Sequence, residues 1–83
     1  MHISVELSCY PLNEDYIPPI KEFISKINQT EGVQAITNTM STQLFGESDI
    51  IFPLLEKAMT STWQTQGKAV FVCKFLTGDL SPK

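Results

Sequence analysis

Eighty-three residues, 42% of them hydrophobic and 18% charged, are typical of one small globular domain and argue against a disordered chain. The net charge is −3 and all six basic residues are lysines; because arginine supplies the bidentate contacts to phosphate and guanine, a nucleic-acid partner is not expected. No apolar run approaches the ~20 residues that cross a bilayer, and no signal-peptide pattern follows Met1, so we expect a cytoplasmic protein without a membrane partner.

Residues that could form a catalytic or metal centre are few. The only histidine is His2, and Cys9 and Cys73 lie far apart with no C-x-x-C motif. This leaves no Cys/His cluster for zinc and no Ser-His or Cys-His nucleophile pair in a suitable place. We expect two free, buried thiols rather than a disulfide, with no metal, no cofactor and no enzyme activity.

The first predicted strand covers residues 3–10, where hydropathy alternates with period two. Its apolar side chains are Ile3, Val5, Leu7 and Cys9, and its opposite face carries Ser4, Glu6, Ser8 and Tyr10. Pro11 ends the strand. An amphipathic helix follows, because Pro18-Pro19 suits a first turn and Gly32 suits a C-terminal cap. Its apolar stripe is Ile17, Ile20, Phe23, Ile24 and Ile27.

A hairpin occupies the middle of the chain. Val33–Asn38 and Thr42–Phe45 have the pattern of short strands, and we place the turn near Thr39–Ser41. Gly46 marks the exit from the second of these strands.

A second helix and a last strand complete the chain. Ser48 is a good N-cap, and Asp49 favours the positive end of the helix dipole. Pro53 predicts a slightly late or bent start, and Gly67 predicts the end. The last strand, Ala69–Thr77, alternates between two sets: Ala69, Phe71, Cys73 and Phe75 against Val70, Val72, Lys74 and Leu76.

The predicted order is β-α-β-β-α-β, in which two right-handed crossovers share a central hairpin. This arrangement gives the α+β ferredoxin-like sandwich: an antiparallel sheet of order 4-1-3-2 with two helices on one face. We expect a single domain over residues 1–83, with a core of about 3–77 and a short, loose C-terminal tail from Leu80.

The face of the sheet that the helices leave uncovered is predicted to mix polar and apolar side chains. The apolar members are Val70, Val72, Leu76, Ile36 and Phe45. Such a patch is too large for a monomer in water, so a partner subunit or a ligand should cover it. Glu6 and Lys74 fall on neighbouring strands and can form an ion pair. The third strand presents either Gln43 and Phe45 or, if a bulge shifts its phase, Thr42.

Each polar feature also has an ordinary structural interpretation. The Glu6–Lys74 pair is more often a half-exposed structural contact than a ligand site, and Ser8 and Tyr10 are more often plain outward-facing strand residues. Thr42 is commonly just a hairpin residue. Together on one sheet, however, these groups suit a polar heterocycle. They provide a carboxylate, hydroxyls and an amide to hydrogen-bond its edges, and aromatic side chains to stack on its faces.

Several short motifs, in this order, carry a family resemblance over about residues 3–77. They are Tyr10-Pro11-Leu12, Met40-Ser41-Thr42, Leu44, Gly46-Glu47, Asp49 and Lys74. The chain resembles the small thiamine-binding protein family, although Phe45 stands where that family often has an acidic residue. The resemblance implies a ferredoxin-like fold, binding of thiamine or its hydroxymethylpyrimidine moiety without turnover, and homodimers or homotetramers built by sheet contacts.

Two functions therefore stay open. The first is a non-catalytic binder of a thiamine-like pyrimidine, at the uncovered sheet face or a subunit interface; its candidate ligand-binding residues are Glu6, Ser8, Tyr10, Asn38, Thr42 and Lys74. The alternative is an oligomeric interaction or structural module whose uncovered face serves only assembly. An enzyme has the least support, since ferredoxin-like acylphosphatases need an arginine that this chain lacks.

Overall fold

The computed structural model describes residues 1–12, 24–38 and 40–82. The strands are β1 (His2–Pro11), β2 (Val33–Thr37), β3 (Thr42–Glu47) and β4 (Ala69–Thr77). Residues 24–28 are helical and form the described part of helix α1, and α2 spans Ser48–Gln66. The strands form one antiparallel sheet of order β2-β3-β1-β4. The predicted β-α-β-β-α-β ferredoxin-like fold is confirmed; the predicted start of the first helix, at Pro18-Pro19, lies outside the described residues.

One hydrophobic core lies between the sheet and both helices. Its buried members are Ile3, Val5, Leu7, Ile27, Leu44, Ile51, Leu55 and Ala58. Ile27 comes from α1 and Ile51 from α2, and both are fully buried, so the two helices cover the same face of the sheet. Burial of each of these isoleucine side chains contributes roughly 1.5–3 kcal/mol to the stability of the fold.

The ends of β3 and α2 differ in detail from the sequence prediction. Strand β3 continues through Gly46 to Glu47, because Gly46 pairs with both Ile3 and Val33. Helix α2 begins at Ser48, and Glu47 occupies the N-cap position without a side-chain cap. The predicted Ser48 cap is therefore wrong by one residue, and Pro53 does not delay the helix start.

The C-terminal segment is attached to the sheet, which corrects the expectation of a loose tail. Gly78 has φ +101°, a conformation that glycine adopts without steric cost, and it turns the chain out of β4. Its N–H donates to the carbonyl oxygen of His2 at 2.9 Å. We call residues 78–81 the strap.

Both cysteines are free and lie on the helix-covered face, where Cys73 pairs with Leu7 and Cys9 with Phe71. They are half-buried rather than fully buried. Burial raises the pKa of both thiols, since a thiolate is poorly solvated there. Both side chains therefore act as small apolar groups at neutral pH.

The raised thiol pKa predicts a loss of stability in mildly alkaline solution. Below about pH 8.5, the usual thiol pKa, both folded and unfolded chains hold the proton. Above it the unfolded chain releases the proton first, so unfolding becomes more favourable as pH rises through the folded-state pKa. Urea unfolding between pH 7.5 and 9.5 measures this. The Cys9→Ala/Cys73→Ala variant should show a shallower decline, and parallel curves for both proteins would contradict the prediction.

Candidate functional site

The face of the sheet opposite the helices carries alternate side chains from all four strands. Because cross-strand partners point to the same side, the strand registers define its members, which we call the open face: Ser4, Glu6, Ser8, Tyr10, Gln34, Ile36, Gln43, Phe45, Val70, Val72, Lys74 and Leu76. The predicted composition of this face is confirmed for β1 and β4. On β3, Gln43 and Phe45 lie on the open face, which is the first of the two predicted arrangements.

Glu6 lies at the centre of the open face, paired with Gln43 on β3 and with Lys74 on β4. Its Oε1 is 3.5 Å from Lys74 Nζ, and its Oε2 accepts a hydrogen bond from Ser41 Oγ at 3.2 Å. The predicted ion pair is thus present. A carboxylate offers about four acceptor positions, so these two contacts orient Glu6 and leave room for donors from a ligand.

A cleft of about 160 Å³ opens beside Glu6. It is lined by Ser4, Val5, Glu6, Gln43, Phe45, Lys74, Leu76 and Leu80. Ligand sites for drug-sized molecules usually occupy roughly 300–1,000 Å³, so this cleft accommodates about one ring. It combines apolar walls with one carboxylate, one ammonium group and one amide.

Phe45 is only 6% exposed, although it lies on the face that no helix covers. Leu80 of the strap lines the same cleft as Phe45. Asp79 and Ser81 line a second cavity that Phe45 also borders. The strap therefore lies beside Phe45, on the face that the helices leave uncovered. This corrects the expectation that Phe45 adds to an exposed apolar patch.

Ser4 fastens the strap to β1. Its hydroxyl donates to the carbonyl oxygen of Gly78 at 2.8 Å and accepts from the N–H of Leu80 at 2.9 Å. Ser81 N–H in turn donates to Asp79 Oδ1 at 2.9 Å. The buried Ser4 hydroxyl thus has both a donor and an acceptor partner, as a buried polar group requires.

Only two of the six predicted binding residues, Glu6 and Lys74, line the cleft. Ser8 is on the open face, but its hydroxyl donates to the carbonyl oxygen of Met40 at 3.3 Å and so steadies the hairpin. Tyr10 is exposed near the end of β1, opposite Val70. Neither Ser8 nor Tyr10 lines the cleft.

The two predicted hairpin residues also lie outside the cleft. Thr42 is buried on the helix-covered face, where it pairs with Leu7, and its Oγ1 is 3.4 Å from Thr37 Oγ1. Its placement on the open face is therefore wrong: no bulge shifts the phase of β3. Asn38 is exposed, and its backbone N–H donates to the carbonyl oxygen of Ser41 at 2.8 Å.

The six candidate binding residues leave out Ser4, Gln43, Ser41 and Leu80, which the structure places at the site. Ser4 and Gln43 follow from the same period-two alternation that identifies Glu6. Ser41 belongs to the hairpin motif and needed only the turn geometry to place its hydroxyl near β1. Leu80 has no periodic signal, because it lies after the last strand.

Within residues 1–12, 24–38 and 40–82, no three acidic, histidine or cysteine side chains gather closely enough to bind a metal ion. No helix of this part of the chain has the length and hydropathy of a membrane span.

Solved structures from distant organisms share the fold. A Streptococcus pneumoniae protein is 24% identical with a TM-score of 0.86, covering 96% of this chain and 90% of its own. A hypothetical protein from Methanocaldococcus jannascii is 20% identical, with a TM-score of 0.81 over 98% of this chain and 84% of its own. A Thermotoga maritima protein, provisionally assigned to thiamine biosynthesis or salvage, is 19% identical, with a TM-score of 0.80 over 98% of this chain and 85% of its own.

No curated protein matches the chain. The sequence profile of the YKOF-related family matches residues 2–80. The matched range contains all four strands, the Glu6 cleft and the strap as far as Leu80. The chain therefore belongs to the YKOF-related family.

Proposed function

We propose that this protein binds, without turnover, a small planar nitrogen heterocycle in the cleft around Glu6, and that the ligand is thiamine or its hydroxymethylpyrimidine moiety. The observation that carries the proposal is the oriented Glu6 carboxylate in a cleft about one ring wide. An aminopyrimidine ring matches this geometry, because its amino group donates hydrogen bonds at the edge while its faces are apolar.

The charge and the relatives of the chain support the same ligand. A net charge of −3 and a carboxylate at the cleft favour a cation over an anion, and the thiazolium of thiamine is cationic. The assignment of the Thermotoga maritima relative to thiamine metabolism agrees with this choice.

The groups at the cleft support binding rather than catalysis. Its polar members are a carboxylate, an ammonium, an amide and a hydroxyl that the strap already engages. Both thiols lie on the opposite face of the sheet, and their raised pKa keeps them protonated at neutral pH, whereas a nucleophilic cysteine requires a lowered pKa.

We also propose that two or four copies assemble through the exposed apolar side chains of β4. Val70, Val72 and Leu76 are all exposed on the open face, and β4 is an edge strand of the sheet. A long, apolar edge strand favours pairing or packing with another copy. This observation also favours the second candidate function, an assembly module whose open face binds only other subunits.

Calorimetric titration with thiamine tests the binding proposal. We expect the Glu6→Gln variant to bind about tenfold or more weakly, since a hydrogen bond to a charged group contributes roughly 1.5–3 kcal/mol and 1.4 kcal/mol is a factor of ten. Glu56→Gln is the matched control, because Glu56 is an exposed glutamate on α2. Its affinity should equal that of the unmodified protein.

The Lys74→Gln variant tests the charge of the ligand. It removes the positive charge beside Glu6, so it should strengthen binding of a cationic ligand and weaken binding of an anionic one.

The titration also separates the two candidate functions. If an oligomeric protein gives no heat with thiamine or hydroxymethylpyrimidine up to millimolar concentration, the assembly module is supported and the binding proposal is overturned.

A further inference from the structure

We propose that Leu80 is a specificity-determining residue: held over the cleft by Ser4, its side chain limits the size of the ring that can enter beside Glu6. This inference rests on the proposed binding function and adds to it the element that selects among ligands.

The strap is held at several points, so its position over the open face is defined. Gly78 N–H donates to the carbonyl oxygen of His2, and the Ser4 hydroxyl contacts both the Gly78 carbonyl and the Leu80 amide. The Asp79 carboxylate accepts from the N–H of Ser81. Because the Leu80 N–H donates to the Ser4 hydroxyl on β1, Leu80 stays beside the cleft that Ser4 and Glu6 also line.

Leu80 is one of the residues that line the cleft, together with Phe45 and Leu76, and it is 62% exposed. It therefore borders both the cleft and solvent. Such a side chain can be shortened without leaving a closed cavity in the core, so Leu80→Ala should enlarge the cleft and leave the fold intact.

Size selection follows from the small volume of the cleft. A space of about 160 Å³ with Leu80 and Phe45 on its walls accepts one ring and resists added carbon atoms. In an apolar pocket one additional methylene changes discrimination by about 10- to 200-fold. The cleft should therefore take the aminopyrimidine ring with only small substituents on the edge that faces Leu80.

The test is a titration series of 4-amino-5-hydroxymethylpyrimidines that carry methyl, ethyl or propyl at C2. For the unmodified protein we expect affinity to fall by about tenfold or more between the methyl and propyl compounds. In Leu80→Ala this difference should largely disappear. Leu12→Ala is the matched control, because Leu12 is 63% exposed and does not line the cleft; it should retain the original order of affinities.

A measurement without ligand tests the strap separately. Hydrogen exchange of the Leu80 amide should accelerate by about tenfold in Ser4→Ala, which loses the acceptor of that N–H. Ser8→Ala, on the same strand and face, should leave the exchange rate unchanged. An exchange rate that does not respond to Ser4→Ala would overturn the anchoring role of Ser4 and the proposal with it.

The outcomes distinguish this proposal from the one it rests on. If no pyrimidine binds to any variant, the binding function fails and the size limit falls with it. If the pyrimidines bind but Leu80→Ala keeps the same preference for the methyl compound, the size limit alone is overturned.

Discussion

Replacing Gly46 with alanine is expected to lower the free energy of unfolding by about 1–3 kcal/mol or more, the cost of overpacking a tight interior. A Cβ at this position would lie 2.7 Å from the carbonyl oxygen of Gly32 and 3.5 Å from Val33 Cα. The first of these contacts is shorter than real Cβ atoms show, and both neighbours are backbone atoms. Strands β2 and β3 would have to separate where they pair, and urea unfolding followed by circular dichroism measures the loss.

Gly67→Ala provides the comparison for this prediction. Gly67 has φ +81° and ψ −140°, and a Cβ there would meet nothing within 4 Å, so alanine would cost only the backbone strain, about 1–3 kcal/mol, and would not disturb the pairing of β2 with β3. A Gly46 variant of unchanged stability would show that β2 and β3 can move apart without cost.

Replacing Val72 with glutamate is expected to convert the proposed oligomer into a monomer. Val72 is 51% exposed on the open face of the edge strand β4. In the monomer a glutamate there remains in water, so stability should change by less than about 0.5–1 kcal/mol. In an interface formed by this strand it would bury an unpaired charge in each subunit, which costs several kcal/mol. Light scattering after size exclusion measures the mass.

Val72→Thr is the matched control for assembly, because threonine keeps the β-branched shape without introducing charge. We expect it to weaken the oligomer without abolishing it. An unmodified protein that is monomeric at high concentration, or a Val72→Glu variant of unchanged mass, would contradict the role assigned to β4.

The fold could be predicted from the sequence because most of its elements have strong periodic patterns. The alternation over residues 3–10 places Glu6 and Ser8 on one face without ambiguity, and Lys74 follows once the strand order is known. The phase of strand β3 is harder to predict because Leu44 and Phe45 are adjacent apolar residues that break the alternation. A slip of one residue reverses every side chain of a strand, so Thr42 would reach the open face only if a bulge shifted the phase of β3.

The site itself could be predicted only in part. The Glu6–Lys74 pair follows from strand neighbours, whereas the contact of Ser41 with Glu6 depends on the conformation of a turn. The strap was missed for another reason: the Ser4 hydroxyl bonds to backbone groups of Gly78 and Leu80, more than 70 residues away. Backbone N–H and C=O groups do not depend on residue type, so the sequence pattern cannot predict which of them the Ser4 hydroxyl contacts.

The pairing of β1 with β4 has a consequence for how this domain can be joined to others. Ile3 lies directly opposite Thr77, so the chain enters β1 and leaves β4 at the same end of the sheet. Domains with adjacent entry and exit points tolerate insertion into a host loop, tandem duplication and circular permutation. A linker that begins after Pro82 would preserve the Glu6 cleft, whereas one that replaces residues 78–81 would uncover Phe45 and expose an aromatic ring to water.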